Sequence, residues 1–134
     1  MIERLTYIST SRNVMGPTHQ EVQDILRHSR ANNSRDALSG VLVVGGRRFL
    51  QVLEGPREAL AQAYARIQAD ARHFALVKLA QVSAEERCFA RWAMGYPQES
   101  ASLDVIVREL TSHLTDPSLK AQLDSFAQMH SKAA

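Results

Sequence analysis

The sequence is poor in the residues that build cross-linked and metal-cluster proteins. Cys88 is the one cysteine among 134 residues, which excludes an internal disulfide and multi-cysteine zinc or iron–sulfur sites. This composition is typical of a reducing compartment, so we expect a cytoplasmic protein. No apolar run approaches the ~20 residues that a membrane-spanning helix needs. Glu3 and Arg4 follow Met1 closely, a pattern unlike that of a secretory signal peptide.

A large excess of charge of one sign is also lacking. Sixteen Lys and Arg residues stand against fourteen Asp and Glu residues, which gives a net charge of +2. This balance allows nucleic-acid binding but does not indicate it. The length fits one compact domain with a core of its own. No metal site is expected, because metal-ligand spacing is missing among His19, His28, His113 and His130.

Hydrophobic periodicity predicts an α+β fold. Helical spacing predicts one helix that begins at Thr18 and another over roughly residues 57–70, and alternation predicts strands over residues 4–9, 38–44, 47–54, 75–82 and 88–94. Thr18 and Glu21 form a capping box, and Gly45-Gly46 suits a hairpin turn. The order is βαββαββ, which predicts a ferredoxin-like five-stranded sheet with both helices on one face.

Beyond Pro97 the pattern becomes purely helical. Ser102 can cap a helix whose apolar residues run from Leu103 to Leu114, and Asp116-Pro117 begins another. We expect residues 1–97 to form the main domain. Residues 98–134 are then a helical extension, which packs on the open face of the sheet or at a dimer interface.

Gln51 breaks the pattern of the third predicted strand. It shares one strand face with Phe49 and Leu53. Because Glu54 on the other face favours solvent, the Gln51 face should pack against the helices. A buried amide without partners costs roughly a few kcal/mol. A lone glutamine in such a place is usually a structural residue with satisfied hydrogen bonds.

Two further polar residues can meet Gln51. Tyr7 lies on an apolar face of the first strand, and Asn33 ends the core-facing stripe of the first helix. Taken alone, Tyr7 is more typical of an ordinary core tyrosine, and Asn33 of an ordinary asparagine at a helix end. Together, a phenol and two amides are typical of a pocket for a planar polar heterocycle. Apolar flanks for its ring are available at Ile25, Phe49 and Leu53.

Six motifs occur along the chain in a fixed order. They are Tyr7-Ile8-Ser9, Ser29-Arg30-Ala31-Asn32-Asn33, Leu38-Ser39-Gly40-Val41-Leu42, Phe49-Leu50-Gln51-Val52-Leu53-Glu54-Gly55, Ile67-Gln68-Ala69-Asp70-Ala71-Arg72-His73 and Arg87-Cys88-Phe89-Ala90-Arg91-Trp92-Ala93-Met94. Together they resemble the motifs of the BLUF family, blue-light sensors that use FAD. The resemblance covers about residues 2–96 and implies a flavin ring held between the two helices. Ser39 and Ala37 stand where the family commonly has threonine and glycine, and neither change removes a flavin-contacting group.

The resemblance implies roles for single residues. Tyr7 would be the photoactive tyrosine, which gives an electron and a proton to the excited flavin. Gln51 would be the switching glutamine, between that tyrosine and the N5/O4 edge of the flavin. Asn33, helped by Asn32, would hold the pyrimidine edge of the ring. A signal relay would run through Trp92 and Met94.

The implied cofactor is FAD. FMN is also possible, because the implied contacts are to the flavin ring and not to the adenylate, which is the part that distinguishes FAD from FMN. Arg66, Asp70 and His73 would line the other side of the flavin, although the residues alone predict an Arg66–Asp70 surface ion pair at i,i+4 spacing. The whole implied cofactor-binding set is Tyr7, Ile25, Ser29, Asn32, Asn33, Phe49, Gln51, Leu53, Arg66, Asp70 and His73.

The resemblance also bears on partners. Residues 98–134 match no output domain of the family, such as a cyclase or phosphodiesterase. We therefore expect a short stand-alone photoreceptor that is not an enzyme. It would signal to an effector protein in trans and form a homo-oligomer, without a membrane and without nucleic acid.

Two other functions stay open on the same element order. An RRM-like nucleic-acid-binding module is suggested by Gly46-Arg47-Arg48-Phe49, although only one aromatic residue lies on that strand. An acylphosphatase-like hydrolase needs a phosphate-cradling loop after the first strand. Residues 9–14 lack the glycines of such a loop.

Overall fold

The computed structural model describes residues 2–90, 92–96, 103–112, 114 and 116–130. Its elements are β1 (Ile2–Ser11), α1 (His19–Asp36), β2 (Ser39–Gly45), β3 (Arg48–Gly55), α2 (Arg57–Gln68), β4 (His73–Ala84), α3 (Leu103–Thr111) and α4 (Pro117–His130). The strands form one antiparallel sheet in the order β2-β3-β1-β4. The predicted α+β class is confirmed.

The predicted fifth strand over residues 88–94 is wrong, because the sheet in the described part of the chain has four strands. The N–H of Trp92 donates to the carbonyl of Phe89 at 3.0 Å, and this turn interrupts the alternation that a strand requires. Further on, Gly95 donates to the carbonyl of Gly40 at 2.8 Å within an isolated bridge. The segment therefore runs along the edge of β2 without joining the sheet.

Local signals explain both ends of α1. The predicted capping box is present, since the Thr18 side chain accepts from the Glu21 N–H while the Glu21 side chain accepts from the Thr18 N–H. At the other end Ala37 adopts the left-handed conformation with φ 59°. Leu38 then donates its N–H to the carbonyl of Asn33 at 2.9 Å, which closes the helix.

The sheet separates two hydrophobic cores. The core beneath α1 and α2 contains Leu5, Tyr7, Val22, Leu26, Leu38, Leu42, Phe49, Leu53, Leu60, Ala63 and Met94. The core beneath α3 and α4 contains Val41, Val43, Leu50, Val52, Phe89, Val107, Leu110, Leu119, Leu123, Phe126 and Ala127. Helices therefore cover both faces of β2 and β3, whereas β4 is largely exposed.

Glu54 contradicts the expectation that it favours solvent. Its side chain is fully buried, directly opposite Arg4 of β1, whose Nε donates to Glu54 Oε2 at 2.8 Å. A carboxylate survives burial when a cation and further donors replace its water. The inferred face is nevertheless correct, because Phe49 and Leu53 lie in the core beneath α1 and α2.

Some predicted features fall outside the described residues, namely the cap at Ser102, the boundary at Pro97 and His113. Within the described residues, α4 begins at Pro117 directly after Asp116. None of the helices that the structure describes is long and apolar enough to cross a membrane.

Candidate functional site

A cavity of about 410 Å³ lies between the sheet and the helix pair α1 and α2. This volume is within the range of about 300–1,000 Å³ typical of ligand pockets. The structure brings all eleven predicted cofactor-binding residues to its lining. The whole lining is Tyr7, Ile25, His28, Ser29, Asn32, Asn33, Leu42, Phe49, Gln51, Leu53, Ala63, Arg66, Ile67, Ala69, Asp70, Arg72, His73 and Met94.

Tyr7 and Gln51 form the buried polar pair at the sheet side of the cavity. They are register partners on β1 and β3, with exposed fractions of 2% and 4%. The hydroxyl of Tyr7 donates to Oε1 of Gln51. Burial raises the pKa of Tyr7 well above its ordinary value of 10.0, so the phenol keeps its proton at neutral pH.

Met94 contacts the other end of the glutamine amide. Nε2 of Gln51 lies 4.0 Å from the sulfur of Met94, which is 2% exposed. Trp92 instead is 44% exposed and stacks on Phe89, with ring centroids 6.0 Å apart. The structure therefore places Met94 in the cavity and Trp92 outside it, although alternation predicts that both are core residues.

Asn33 links α1 to the segment that carries Met94. Its Nδ2 donates to the carbonyl of Ala93 at 2.6 Å, and Nε of Arg30 donates to the carbonyl of Met94 at 3.0 Å. Asn32 is half-buried on the same cavity wall. These amides place hydrogen-bonding groups on the α1 wall of the cavity.

The predicted Arg66–Asp70 ion pair is wrong. Nη2 of Arg66 pairs with Asp36 of α1 at 3.1 Å, so it joins the two helices. Asp70 is held by Arg72, which donates from Nη2 at 2.6 Å and from its backbone N–H at 2.9 Å. Burial acts to raise the pKa of Asp70, but these bonds outweigh it and the pKa is lowered overall.

His73 lies at the start of β4 and is fixed through both ring nitrogens. Nδ1 is 2.8 Å from the hydroxyl of Ser9, and Nε2 is 2.7 Å from the carbonyl of Ile67. The ring also meets Phe49 edge to face. This imidazole therefore closes the end of the cavity between β1, β4 and α2.

Six lining residues are not predicted from the sequence. They are His28, Leu42, Ala63, Ile67, Ala69 and Arg72. Met94, a seventh residue outside the predicted binding set, is predicted for the signal relay instead. Helical spacing could have found His28, because it lies three residues after Ile25 on the same helix face. Arg72 carries no such signal, since it follows the end of α2.

The donor set fits a flavin ring. Tyr7, Gln51, Asn32 and Asn33 supply both donors and acceptors around the cavity, as the alternating polar edge of a pyrimidine-like ring requires. Ile25, Phe49 and Leu53 supply apolar surface for its faces.

A family model described as BLUF, sensors of blue-light using FAD, matches residues 2–95. The photoactivated adenylate cyclase subunit beta of Euglena longa is 31% identical over 91 residues, which are 67% of this chain and 10% of that protein. The blue light- and temperature-regulated antirepressor BluF of Escherichia coli (strain K12) is 29% identical over 75 residues, or 56% of this chain and 19% of that protein. The chain thus spans about a tenth to a fifth of these relatives.

Solved structures resemble the whole fold. BlsA in its photo-activated state superposes with a TM-score of 0.74 at 29% identity, over 100% of this chain and 97% of that chain. Klebsiella pneumoniae BlrP1 with FMN and cyclic diGMP gives a TM-score of 0.81 at 25% identity, over 96% of this chain and 35% of that chain.

Proposed function

Because the chain belongs to the BLUF family of blue-light sensors that use FAD, we propose that it is a photoreceptor whose flavin occupies the cavity between the sheet and the helix pair. The observation that carries the proposal is the buried hydrogen bond from Tyr7 to Gln51 at the wall of that cavity. A phenol and an amide so placed can change their hydrogen bond when the amide rotates or tautomerises.

In this proposal the amides of Asn32 and Asn33 hold the polar edge of the ring, and Ile25, Phe49 and Leu53 exclude water from its faces. Arg66, Asp70 and His73 stand on the α2 side of the cavity, with Ser29 on the α1 side. When bound, the flavin would supply blue-light absorption and an electron-accepting ring.

The chain's own contribution is the electron and the proton of the Tyr7 phenol and the amide of Gln51. The electron would leave Tyr7 for the bound ring, and the hydroxyl proton would leave through Oε1 of Gln51, to which Tyr7 already donates. Rotation or tautomerisation of the Gln51 amide changes which of its atoms faces Tyr7. After rotation Nε2 would donate to Tyr7, and the sulfur of Met94 would face Oε1 instead of an N–H.

Such an exchange has a limited energy. One altered hydrogen bond is worth about 1 kcal/mol, and a switch shifts an equilibrium only by that difference. The exchange can therefore bias a neighbouring element that has two arrangements of similar free energy. Met94 is the neighbour that contacts the amide, so we place the start of the signal relay there, with Trp92 on the same segment.

BLUF domains signal to effector domains or partner proteins. We propose that this chain passes its signal to an effector protein in trans, possesses no enzymatic activity of its own and forms a homo-oligomer. The RRM-like alternative is disfavoured because α3 and α4 cover the sheet face that would stack bases.

An absorption spectrum before and after blue light tests the proposal. The purified protein, supplied with FAD, should be yellow and show a small reversible red shift of its flavin band, which decays in the dark. Chromatography of the released cofactor distinguishes FAD from FMN. Protein that binds no flavin, or a flavin band that light leaves unchanged, would contradict the proposal.

A further inference from the structure

Glu54 is the centre of a buried ionic network on the sheet face that α3 and α4 cover. Its carboxylate accepts three hydrogen bonds, from Nε of Arg4 at 2.8 Å and from the backbone N–H groups of Cys88 and Phe89 at 2.7 and 2.8 Å. Because the side chain is 0% exposed, water cannot replace a lost donor, and losing one costs a large free energy. Glu54 therefore anchors the beginning of the segment that leads to Met94.

Arg4 extends this network to the C-terminal helices. Besides Glu54 it donates from Nη1 to Oδ2 of Asp116 at 2.9 Å and from Nη2 to the carbonyl of Glu86 at 3.1 Å. One guanidinium thus holds β3, the segment after β4 and the start of α4. Its planar fork allows three simultaneous contacts that a lysine ammonium could not reach.

Asp116 uses its two carboxylate oxygens for different purposes. Oδ1 accepts from the N–H groups of Ser118 and Leu119 at 2.9 and 3.3 Å, which caps α4. Oδ2 accepts from Arg4. Capping and ion pairing can therefore be separated by mutation at this single position.

The two halves of the network differ in their exposure. Arg4 and Glu54 have side-chain exposures of 6% and 0%, whereas Asp116 is 29% exposed. Breaking the buried half leaves an unpaired charge without solvent, while Asp116 can exchange Arg4 for water. The Arg4–Asp116 pair is thus the contact of the network that opens more readily.

We propose that the Arg4–Asp116 ion pair is the joint through which the segment carrying Cys88, Phe89 and Met94 is coupled to α4. The light-dependent part of this inference rests on the proposed photoreceptor function. A change at Gln51 that displaces Met94 would shift the segment that Glu54 anchors. Arg4, which contacts both Glu54 and Asp116, would transmit this shift to the cap of α4. Coupling of this kind requires an element with two arrangements, whose equilibrium both the Gln51 site and α4 affect. The Arg4–Asp116 ion pair, open or closed, is that element.

Hydrogen exchange measured by mass spectrometry tests the joint in the dark. Asp116→Asn keeps a capping oxygen but presents an amide to Arg4, whereas Asp116→Glu keeps the charge with a poorer cap. Asp124→Asn removes a carboxylate elsewhere on α4 and is the control. In Asp116→Asn, the amides of α4 and of Cys88 and Phe89 should exchange faster together, by about 2- to 30-fold. Unchanged exchange at Cys88 and Phe89 would overturn the proposal.

The same variants are then compared under blue light. Wild type, Asp116→Glu and Asp124→Asn should change the exchange of α4 on illumination, while Asp116→Asn should keep the red shift and lose that change. A wild-type light response of α4 in Asp116→Asn would refute the joint. If wild type shows no red shift, the photoreceptor proposal fails, and the dark comparison still decides whether the joint exists.

Discussion

Tyr7 and Gln51 stand directly opposite each other on adjacent antiparallel strands, and the phenol donates to the amide oxygen. The pairing is a consequence of register, because a slip of one residue would turn Gln51 toward the core beneath α3 and α4. Leu50 and Val52, its neighbours in β3, already lie in that core. The hydrophobic pattern of β3 therefore fixes where the glutamine points.

Replacing Tyr7 with phenylalanine should abolish the photoresponse while the flavin stays bound. The ring is kept, but Oε1 of Gln51 loses its donor, which should lower the free energy of unfolding by about 1–3 kcal/mol. Absorption spectra in dark and light measure the response. Tyr64→Phe is the control, since its ring meets Tyr7 edge to face at 5.5 Å. A normal red shift in Tyr7→Phe would contradict the mechanism.

Tyr7 should make stability depend on alkaline pH. Burial raises the pKa of its phenol in the folded protein, so the unfolded chain loses that proton first. The resulting stabilisation is fully present below the unfolded pKa of 10.0 and is lost as pH rises beyond it. Urea unfolding between pH 8 and about 11 should show a steeper loss for wild type than for Tyr7→Phe. Parallel curves would show that the phenol ionises equally in both states.

Removing the amide of Asn33 should weaken flavin binding. Asn33→Ala deletes a cavity group and leaves the carbonyl of Ala93 without its 2.6 Å donor. One lost hydrogen bond corresponds to roughly tenfold in the dissociation constant, which a titration of flavin fluorescence measures. Ser34→Ala, at an exposed position of the same helix, should bind as wild type does. Equal affinity of both variants would exclude Asn33 from the binding set.

Ala37→Gly should stabilise the protein. Ala37 has φ 59° at the end of α1, a conformation that costs an L-residue roughly 1–2 kcal/mol and costs glycine little. Allowing for the greater freedom of glycine in the unfolded chain, we expect a gain of about 0.5–1 kcal/mol by urea unfolding. The matched change Ala31→Gly inside α1 should instead destabilise by about 1 kcal/mol. A lower free energy of unfolding in both variants would contradict the strain at Ala37.

Local patterns were sufficient for much of the fold and of the cavity wall. The capping box at Thr18 and the alternation around Gln51 depend on neighbours in the sequence, so they could be predicted. The burial of Glu54 could not, because it depends on Arg4, which is distant in sequence and becomes its neighbour only when β1 and β3 pair. The partner of Arg66 was missed for the same reason, since Asp36 belongs to another helix.

The segment after β4 shows a second limit. Its alternation from Cys88 to Met94 predicts a strand, but the hydrogen bond from Trp92 to Phe89 folds it into a turn. Three contacts that hold the segment come from β3 and α1, through Glu54, Asn33 and Arg30. Such long-range contacts override strand propensity.

Alternate residues of β3 face opposite cores, so substitutions at neighbouring positions act on different parts of the molecule. Phe49, Gln51 and Leu53 line the cavity, whereas Leu50 and Val52 pack beneath α3 and α4. A substitution at Leu50 or Val52 can therefore change the packing beneath the C-terminal helices while the side chains of the cavity wall stay in place. The sheet thus allows α3 and α4 to diverge, by drift or by design, while the cavity is conserved.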